Sequence, residues 1–212
     1  GAGGGGGGRG GGVGQLVGEG DRRDPHFGDE VTRGKLDKEL EMLSRLIEAD
    51  GQRLPLTKSE QHALQFADKL GLVQVRDAQA TLNAQLYDDL DRQLRAQNID
   101  TPDVATVQRL FDPERVRGLT PEVAAFVVLA YAAKTGREIV RGGQPLRNPV
   151  LGKVDKDAEL LQPRLPSETE WHQAVQRAGV LFGISVGKAR TPRNRRALTE
   201  QLQDAEALKH AL

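Results

Sequence analysis

The sequence contains no cysteine among its 212 residues. Disulfide bonds and thiolate metal sites are therefore excluded, and the absence fits a reducing compartment such as the cytoplasm. Lysine and arginine number 30, and aspartate and glutamate also number 30. Because these charges cancel, the whole chain has no long-range attraction to nucleic acid or to an anionic membrane, and any basic binding site would have to be local.

Long apolar runs and aromatic residues are also scarce. The longest apolar run covers residues 123–133, which is well short of the roughly 20 residues that span a bilayer. We therefore expect no contact with membranes, and we expect this run to form a helix at the centre of the core. Since aromatic residues make up 4% of the chain, leucine, valine and alanine must supply most of that core.

The N-terminal end is dominated by glycine and has few apolar side chains. Ordering such a segment costs conformational entropy that no burial offsets, so we expect residues 1–28 to form a disordered tail. The chain begins with Gly1 rather than methionine, and glycine-rich segments commonly link folded parts. We therefore expect this sequence to be either a fragment of a longer polypeptide or the product of an upstream gene-model artefact.

Seven segments combine helical spacing of apolar residues with start and stop signals. They are residues 35–49, 57–70, 77–96, 101–111, 120–134, 167–182 and 191–212. Few segments favour strands, so the sequence predicts an all-α fold, a multi-helix bundle of about seven helices. A helical N-terminal subdomain over residues 29–97 would be followed by a helical C-terminal subdomain over residues 98–212.

The sixth of these helices has the clearest boundaries. Ser167 and Glu170 can exchange hydrogen bonds as a capping box, and Gly183 can take the left-handed conformation that ends a helix. The segment contains the single tryptophan of the chain. Helical spacing predicts one inward face formed by Trp171, Ala174, Val175, Ala178, Leu181 and Phe182.

Two leucine stripes predict surfaces that need a partner. The stripe in the third helix repeats every four residues, and the stripe in the last helix continues to the final residue of the chain. We expect both to remain partly exposed and to make contacts with another protein or domain. Their members are Leu82, Leu86, Leu90 and Leu94, and Leu198, Leu202, Leu208 and Leu212.

Catalytic motifs lack the context that their chemistry requires. Gly183 to Gly187 match the G-x-S-x-G pattern around Ser185, but a nucleophile elbow follows a strand, and here a predicted helix precedes it. We interpret these residues as a loop between helices. The four histidines have no metal-ligand spacing. The sequence therefore predicts no catalytic residue, no metal ligand and no cofactor site in this segment.

Five basic residues surround the start of the last predicted helix: Lys188, Arg190, Arg193, Arg195 and Arg196. Cations at this end oppose the helix dipole, so a bound anion would be stabilised by both the free amides and the side chains. The cluster is a candidate anion or nucleic-acid site. The alternative is a solvated face balanced by Glu200, Asp204 and Glu206.

Residues 57–75 allow a second interpretation, since a helix followed by an apolar segment could end a winged-helix module that begins with the helix at residue 35. The candidate recognition helix has only Lys58 and Lys69 as basic residues, and Glu60 and Asp68 oppose them. Because neutralised phosphates dominate DNA binding, this balance disfavours DNA recognition there.

Residues 108–203 resemble the C-terminal region of PglY-like proteins, which are large bacterial ATPases of the Pgl and BREX phage-resistance systems. Residues 35–107 are compatible with this resemblance but less distinctive. The matching motifs are RLFDP at 109–113, GLTPEV at 118–123, LAYAAKTGR at 129–137, LP at 165–166, EWHQA at 170–174, RA at 177–178 and LFG at 181–183.

The resemblance implies a role in antiviral defence. In such a protein, a P-loop ATPase region that uses ATP and Mg²⁺ would precede this segment. The segment itself would be a non-catalytic helical part that packs against its parent ATPase domain or against other phage-defence proteins in the cytoplasm. The alternative function is a nucleic-acid-binding module that uses the cluster from Arg190 to Arg196, with DNA as the partner.

Overall fold

Helices and six short strands make up the structure, which is a computed structural model that describes residues 32–146, 151 and 154–210, with side chains up to residue 207. The helices are α1 (Arg33–Glu48), α2 (Lys58–Gln61), α3 (Gln65–Lys69), α4 (Ala84–Ala96), α5 (Val104–Phe111), α6 (Pro121–Thr135), α7 (Glu168–Phe182) and α8 (Pro192–His210). The strands are β1 (Arg53–Pro55), β2 (Val73–Arg76), β3 (Gln79–Leu82), β4 (Glu138–Arg141), β5 (Gln144–Pro145) and β6 (Glu159–Leu161). The predicted tail at residues 1–28 lies outside this range.

The strands form two small antiparallel sheets, so the predicted all-α class was only partly right: the fold is mostly helical. The first sheet has the order β1-β3-β2, and the second has the order β5-β4-β6. The second sheet lies between the segments 120–134 and 167–182, which the sequence predicted as helices. Its strands bury Ile139, Val140 and Leu160 in the interior.

The first sheet contains a hairpin where the sequence predicted the start of a helix. Asp77 and Ala78 have φ values of 49° and 60°. Positive φ at both central residues makes the two-residue turn whose twist suits a β-hairpin. Asp77 therefore joins β2 to β3 and does not cap a helix, and α4 begins at Ala84, seven residues later.

Residues 33–82 follow the order helix, strand, two short helices and hairpin. With the sheet order β1-β3-β2, this is the topology of a winged-helix module. The Thr57–Glu60 capping box is present at α2. The predicted single helix over residues 57–70 is broken into two, because a 3₁₀ turn at His62–Leu64 ends with Leu64 at φ −114°, ψ 20°.

One cluster of buried side chains extends from Leu36 to Leu160. Its centre is α6, in which Phe126 and Tyr131 are fully buried, as predicted for the apolar run. Leu82, Leu90 and Leu94 also belong to this cluster. The prediction of a leucine contact surface there was wrong, because α5 and α6 already cover that face of α4.

A second, smaller cluster forms between α7 and α8 from Trp171, Ala178 and Leu198. The Ser167–Glu170 capping box and the left-handed Gly183 are present as predicted. The predicted inward face was too wide, however, since Ala174, Leu181 and Phe182 are exposed. The predicted division of the chain at residues 97–98 stays a prediction; the first cluster includes side chains from both sides of it.

None of the helices in the described part of the chain is long and apolar enough to cross a bilayer. Of the leucine stripe in α8, Leu198 is buried and Leu202 is partly buried. Leu208 and Leu212 lie outside the residues whose side chains the structure describes.

A buried carboxylate joins α1 to the start of α3. The Glu39 side chain accepts hydrogen bonds from the backbone amides of Phe66 at 3.0 Å and Ala67 at 2.8 Å, and Glu39 is only 3% exposed. Burial raises the pKa of Glu39 to about 7, against the opposing effects of these hydrogen bonds and of the Lys69 charge. The two amide hydrogen bonds therefore fix the position of the Glu39 carboxyl group, but ionising this buried group costs desolvation energy.

This raised pKa predicts an unusual pH dependence of stability. The folded protein holds the Glu39 proton up to about pH 7, whereas the unfolded chain releases it near its ordinary value of 4.5. The free energy of unfolding should therefore fall by about 3 kcal/mol from this group as the pH rises through that window. Glu39→Gln should remove this slope, which urea unfolding between pH 4.5 and 8 would measure.

Glu41→Gln is the matched control, because Glu41 lies on the same helix but is exposed. It should keep the slope of the unmodified protein. If the free energy of unfolding depends on pH in the same way in Glu39→Gln and in the unmodified protein, Glu39 is not the group responsible for the slope.

Candidate functional site at the start of α8

The loop between α7 and α8, residues 183–191, positions the predicted basic cluster. Trp171 of α7 is 1% exposed, and its indole Nε1 donates a hydrogen bond to the carbonyl of Lys188 at 2.8 Å. A buried indole N–H needs an acceptor, and this one fixes the loop to the face of α7. The single tryptophan therefore holds the chain just before α8 begins.

The first turn of α8 is capped as the sequence predicted. Thr191 Oγ1 accepts a hydrogen bond from the amide of Asn194 at 3.1 Å, and Pro192 opens the helix. The buried Asn194 donates from Nδ2 to the carbonyl of Ala189 at 2.8 Å. A Cβ at Gly187 would lie 2.5 Å from that Nδ2, so this close approach requires glycine at position 187.

Two of the five basic residues are paired with a buried carboxylate. Glu138 Oε1 in β4 lies 3.3 Å from Arg195 Nη2 and 3.1 Å from Arg196 Nη2, and the Glu138 side chain is 7% exposed. The sequence left open whether an external anion or the acidic residues Glu200, Asp204 and Glu206 balance these cations. The protein itself supplies part of that balance, from a strand more than fifty residues away along the chain.

Two arginines of the cluster also bind the segment before α7. Arg190 Nη1 donates to the carbonyl of Pro166 at 2.8 Å, and Arg195 Nη1 donates to the carbonyl of Arg164 at 2.9 Å. Lys188 and Arg193 are exposed, and neither side chain has a partner among the residues that the structure describes. The predicted cluster is therefore divided into three arginines that hold the fold and two cations that face solvent.

Among the described residues, Ser185 does not lie in the strand–turn–helix context of a nucleophile elbow. Ser185 is exposed in the loop that follows α7, so no strand precedes it. Within residues 32–146, 151 and 154–210, no group of three or more histidine, aspartate or glutamate side chains could hold a metal ion. His62 and His172 are exposed.

Sequence reasoning missed an apolar surface at the end of α7. Val180, Leu181 and Phe182 are 78%, 70% and 39% exposed, although helical spacing placed the last two inside. α8 covers only the narrow face of α7 that contains Trp171 and Ala178. We call the three exposed residues the α7 tip.

Part of the chain matches a known protein family. Residues 34–132 match the family model described as the BREX System ATPase PglY protein 5th domain. The predicted resemblance to PglY-like proteins is thus confirmed. No curated protein and no solved structure matches the chain.

The matched segment begins in α1 and ends within α6. It overlaps the residues that predicted the resemblance, 108–203, over 108–132. The matched segment therefore contains the winged-helix topology and most of the main core. The α7–α8 pair, with its basic cluster and the α7 tip, follows the matched segment.

The pairing of Glu138 predicts that α8 depends on β4 for its position. Glu138→Ala would leave Arg195 and Arg196 without their carboxylate partner. Because both arginine side chains are about one-third exposed, the expected loss of stability is about 1–2 kcal/mol, less than for a fully buried pair. Hydrogen exchange of residues 192–200 should accelerate.

Glu159→Ala is the matched control, since Glu159 is exposed in the neighbouring strand β6. It should leave exchange in α8 unchanged. Unchanged exchange in Glu138→Ala as well would show that the ion pair does not position α8.

Proposed function

We propose that this segment is a non-catalytic part of a Pgl/BREX-type phage-defence ATPase and that it acts by packing against its parent ATPase domain or against other defence components. The observation that carries this proposal is the α7 tip, together with the match to the PglY fifth domain. Val180 and Leu181 are 78% and 70% exposed, and burying these apolar side chains against a partner would be favourable.

The position of the α7 tip favours contact with a partner over contact within this chain. The tip lies at the end of α7, where α8 turns away through the loop at residues 183–191. Ala174 is exposed two helical turns before Leu181 and shares its face. The exposed Arg177 lies between these two residues, so the exposed apolar surface of α7 is concentrated at its end, while the inner side is occupied by the contacts of Trp171.

Packing through the α7 tip predicts loss of function without loss of stability. In the intact defence system, Val180→Ser combined with Leu181→Ser should weaken phage restriction, measured as plaque counts. The free energy of unfolding should change by less than about 0.5 kcal/mol, because exposed side chains add little to stability.

Gln176→Ser combined with Arg177→Ser is the control, since both residues are exposed on the same helix. This pair should leave restriction intact. Full restriction in the Val180/Leu181 variant would argue against packing through α7.

The second candidate function is nucleic-acid binding. The winged-helix topology of residues 33–82 favours it, as do the exposed cations of Lys188 and Arg193. The charges of the module oppose it: Arg76 of the hairpin adjoins Asp77, and Asp68 at the end of α3 is exposed. Few phosphates could be neutralised, and phosphate neutralisation supplies most of the affinity for DNA.

Titration of a short labelled DNA duplex across salt concentrations separates the two candidates. We expect weak binding, with a salt dependence that Lys188→Ser combined with Arg193→Ser does not alter. These two positions avoid the arginines that hold the fold. A slope of log affinity against log salt that falls by about two in the variant would instead establish phosphate contacts at the start of α8.

A further inference from the structure

An open groove separates α1 from the start of α8. It has a volume of about 530 Å³, and the end of α6 and strand β4 form its base. The base is apolar and partly covered by the side walls. The apolar residues that line the groove are Leu40, Ile47, Leu129, Ala132, Ala133, Ile139, Leu146, Pro192 and Ala197.

The α1 wall carries three exposed carboxylates: Asp37, Glu41 and Glu48. No side-chain partner for any of them exists in the part of the chain that the structure describes. They extend over about 16 Å of α1, given the helical rise of about 1.5 Å per residue. Leu40 and Ile47 lie beside them and lead into the groove.

The opposite wall does not neutralise these charges. Arg196 is paired with Glu138, and Glu200 adds a further exposed carboxylate beside Arg193. The five acidic residues of the lining, Asp37, Glu41, Glu48, Glu138 and Glu200, outnumber the three basic ones, Arg137, Arg193 and Arg196. The groove is therefore negative by two charges in a chain whose net charge is zero.

We propose that this groove binds a short amphipathic helix of a partner protein, with apolar side chains on the base and lysine or arginine side chains against the α1 carboxylates. Apolar anchors at helical spacing would remove the base from water, and the basic flank would match the charge of the wall. Among the described residues, an acidic segment would meet four lining carboxylates without an ion-pair partner and two such guanidiniums, Arg137 and Arg193. This inference rests on the proposed packing function and names the chemistry of the partner.

A pair of designed peptides tests the proposal on the full chain. One helical peptide has leucines at positions i, i+3, i+4 and i+7 with flanking lysines, and its matched peptide has glutamates in place of those lysines. Fluorescence anisotropy should show binding of the lysine peptide that weakens with added salt. The glutamate peptide should bind at least about ten-fold more weakly, since like charges repel at close range.

Variants of the groove locate the binding site. The wall is neutralised by Asp37→Asn, Glu41→Gln and Glu48→Gln together, which should weaken binding of the lysine peptide about ten-fold. The control changes three exposed acids elsewhere, as Asp88→Asn, Glu114→Gln and Asp157→Asn, and should not alter binding. Ala133→Trp should fill the groove and abolish binding. If that variant unfolds, the exposed wall residues still decide the question.

Three results would overturn the proposal. Both peptides could bind equally well, the wall and control variants could weaken binding of the lysine peptide to the same extent, or neither set of variants could change that binding. Sedimentation that shows self-association, lost in the wall variant, would assign the groove to a second copy of this chain and would also overturn it. The Val180/Leu181 variant should bind the lysine peptide normally. Failure of the peptide test together with lost restriction in that variant would remove the groove and leave the packing function standing.

Discussion

The buried carboxylate of Glu39 is the contact on which the first half of the structure depends. α3 has five residues, too few to form a stable helix in isolation, and its first amides have no partner within the helix. Glu39 reaches them from α1 and accepts two of their hydrogen bonds. Since β2 follows α3 almost directly, fixing α3 against α1 also fixes where the hairpin and its sheet lie.

The main core is organised around α6, which has buried residues on nearly every face from Val123 to Ala132. A helix without a polar face must be surrounded, and α1, α4 and α5 all pack against it. The match to the PglY fifth domain covers these helices and ends within α6. The α7–α8 pair is attached outside this core, and the ion pairs of Glu138 with Arg195 and Arg196 form one of its links to it.

Helix boundaries could be predicted from the sequence where one local signal is present. They could not be predicted where a residue fits two different local structures. The capping box at Ser167 and the terminating Gly183 specify their own backbone geometry, so they appear as predicted. The Thr57–Glu60 box is specified locally in the same way. Asp77 was misplaced because aspartate serves both as a helix cap and as a turn residue with positive φ. The leucine stripe that begins at Leu82 then spans a strand and a helix, and its helical spacing there is coincidental.

Charges were the hardest feature to interpret, because a sequence counts them without showing which ones are paired. The cluster from Lys188 to Arg196 is prominent in the sequence. In the structure, Glu138 pairs with Arg195 and Arg196, and backbone carbonyls accept hydrogen bonds from Arg190 and Arg195. Asp37, Glu41 and Glu48 look like the ordinary polar face of an amphipathic helix. Beside the apolar groove, none of them has a side-chain partner among the described residues. A charge that is already paired within the fold attracts a partner only weakly. The remaining charges around this groove are mostly carboxylates, so the groove attracts a basic segment most strongly.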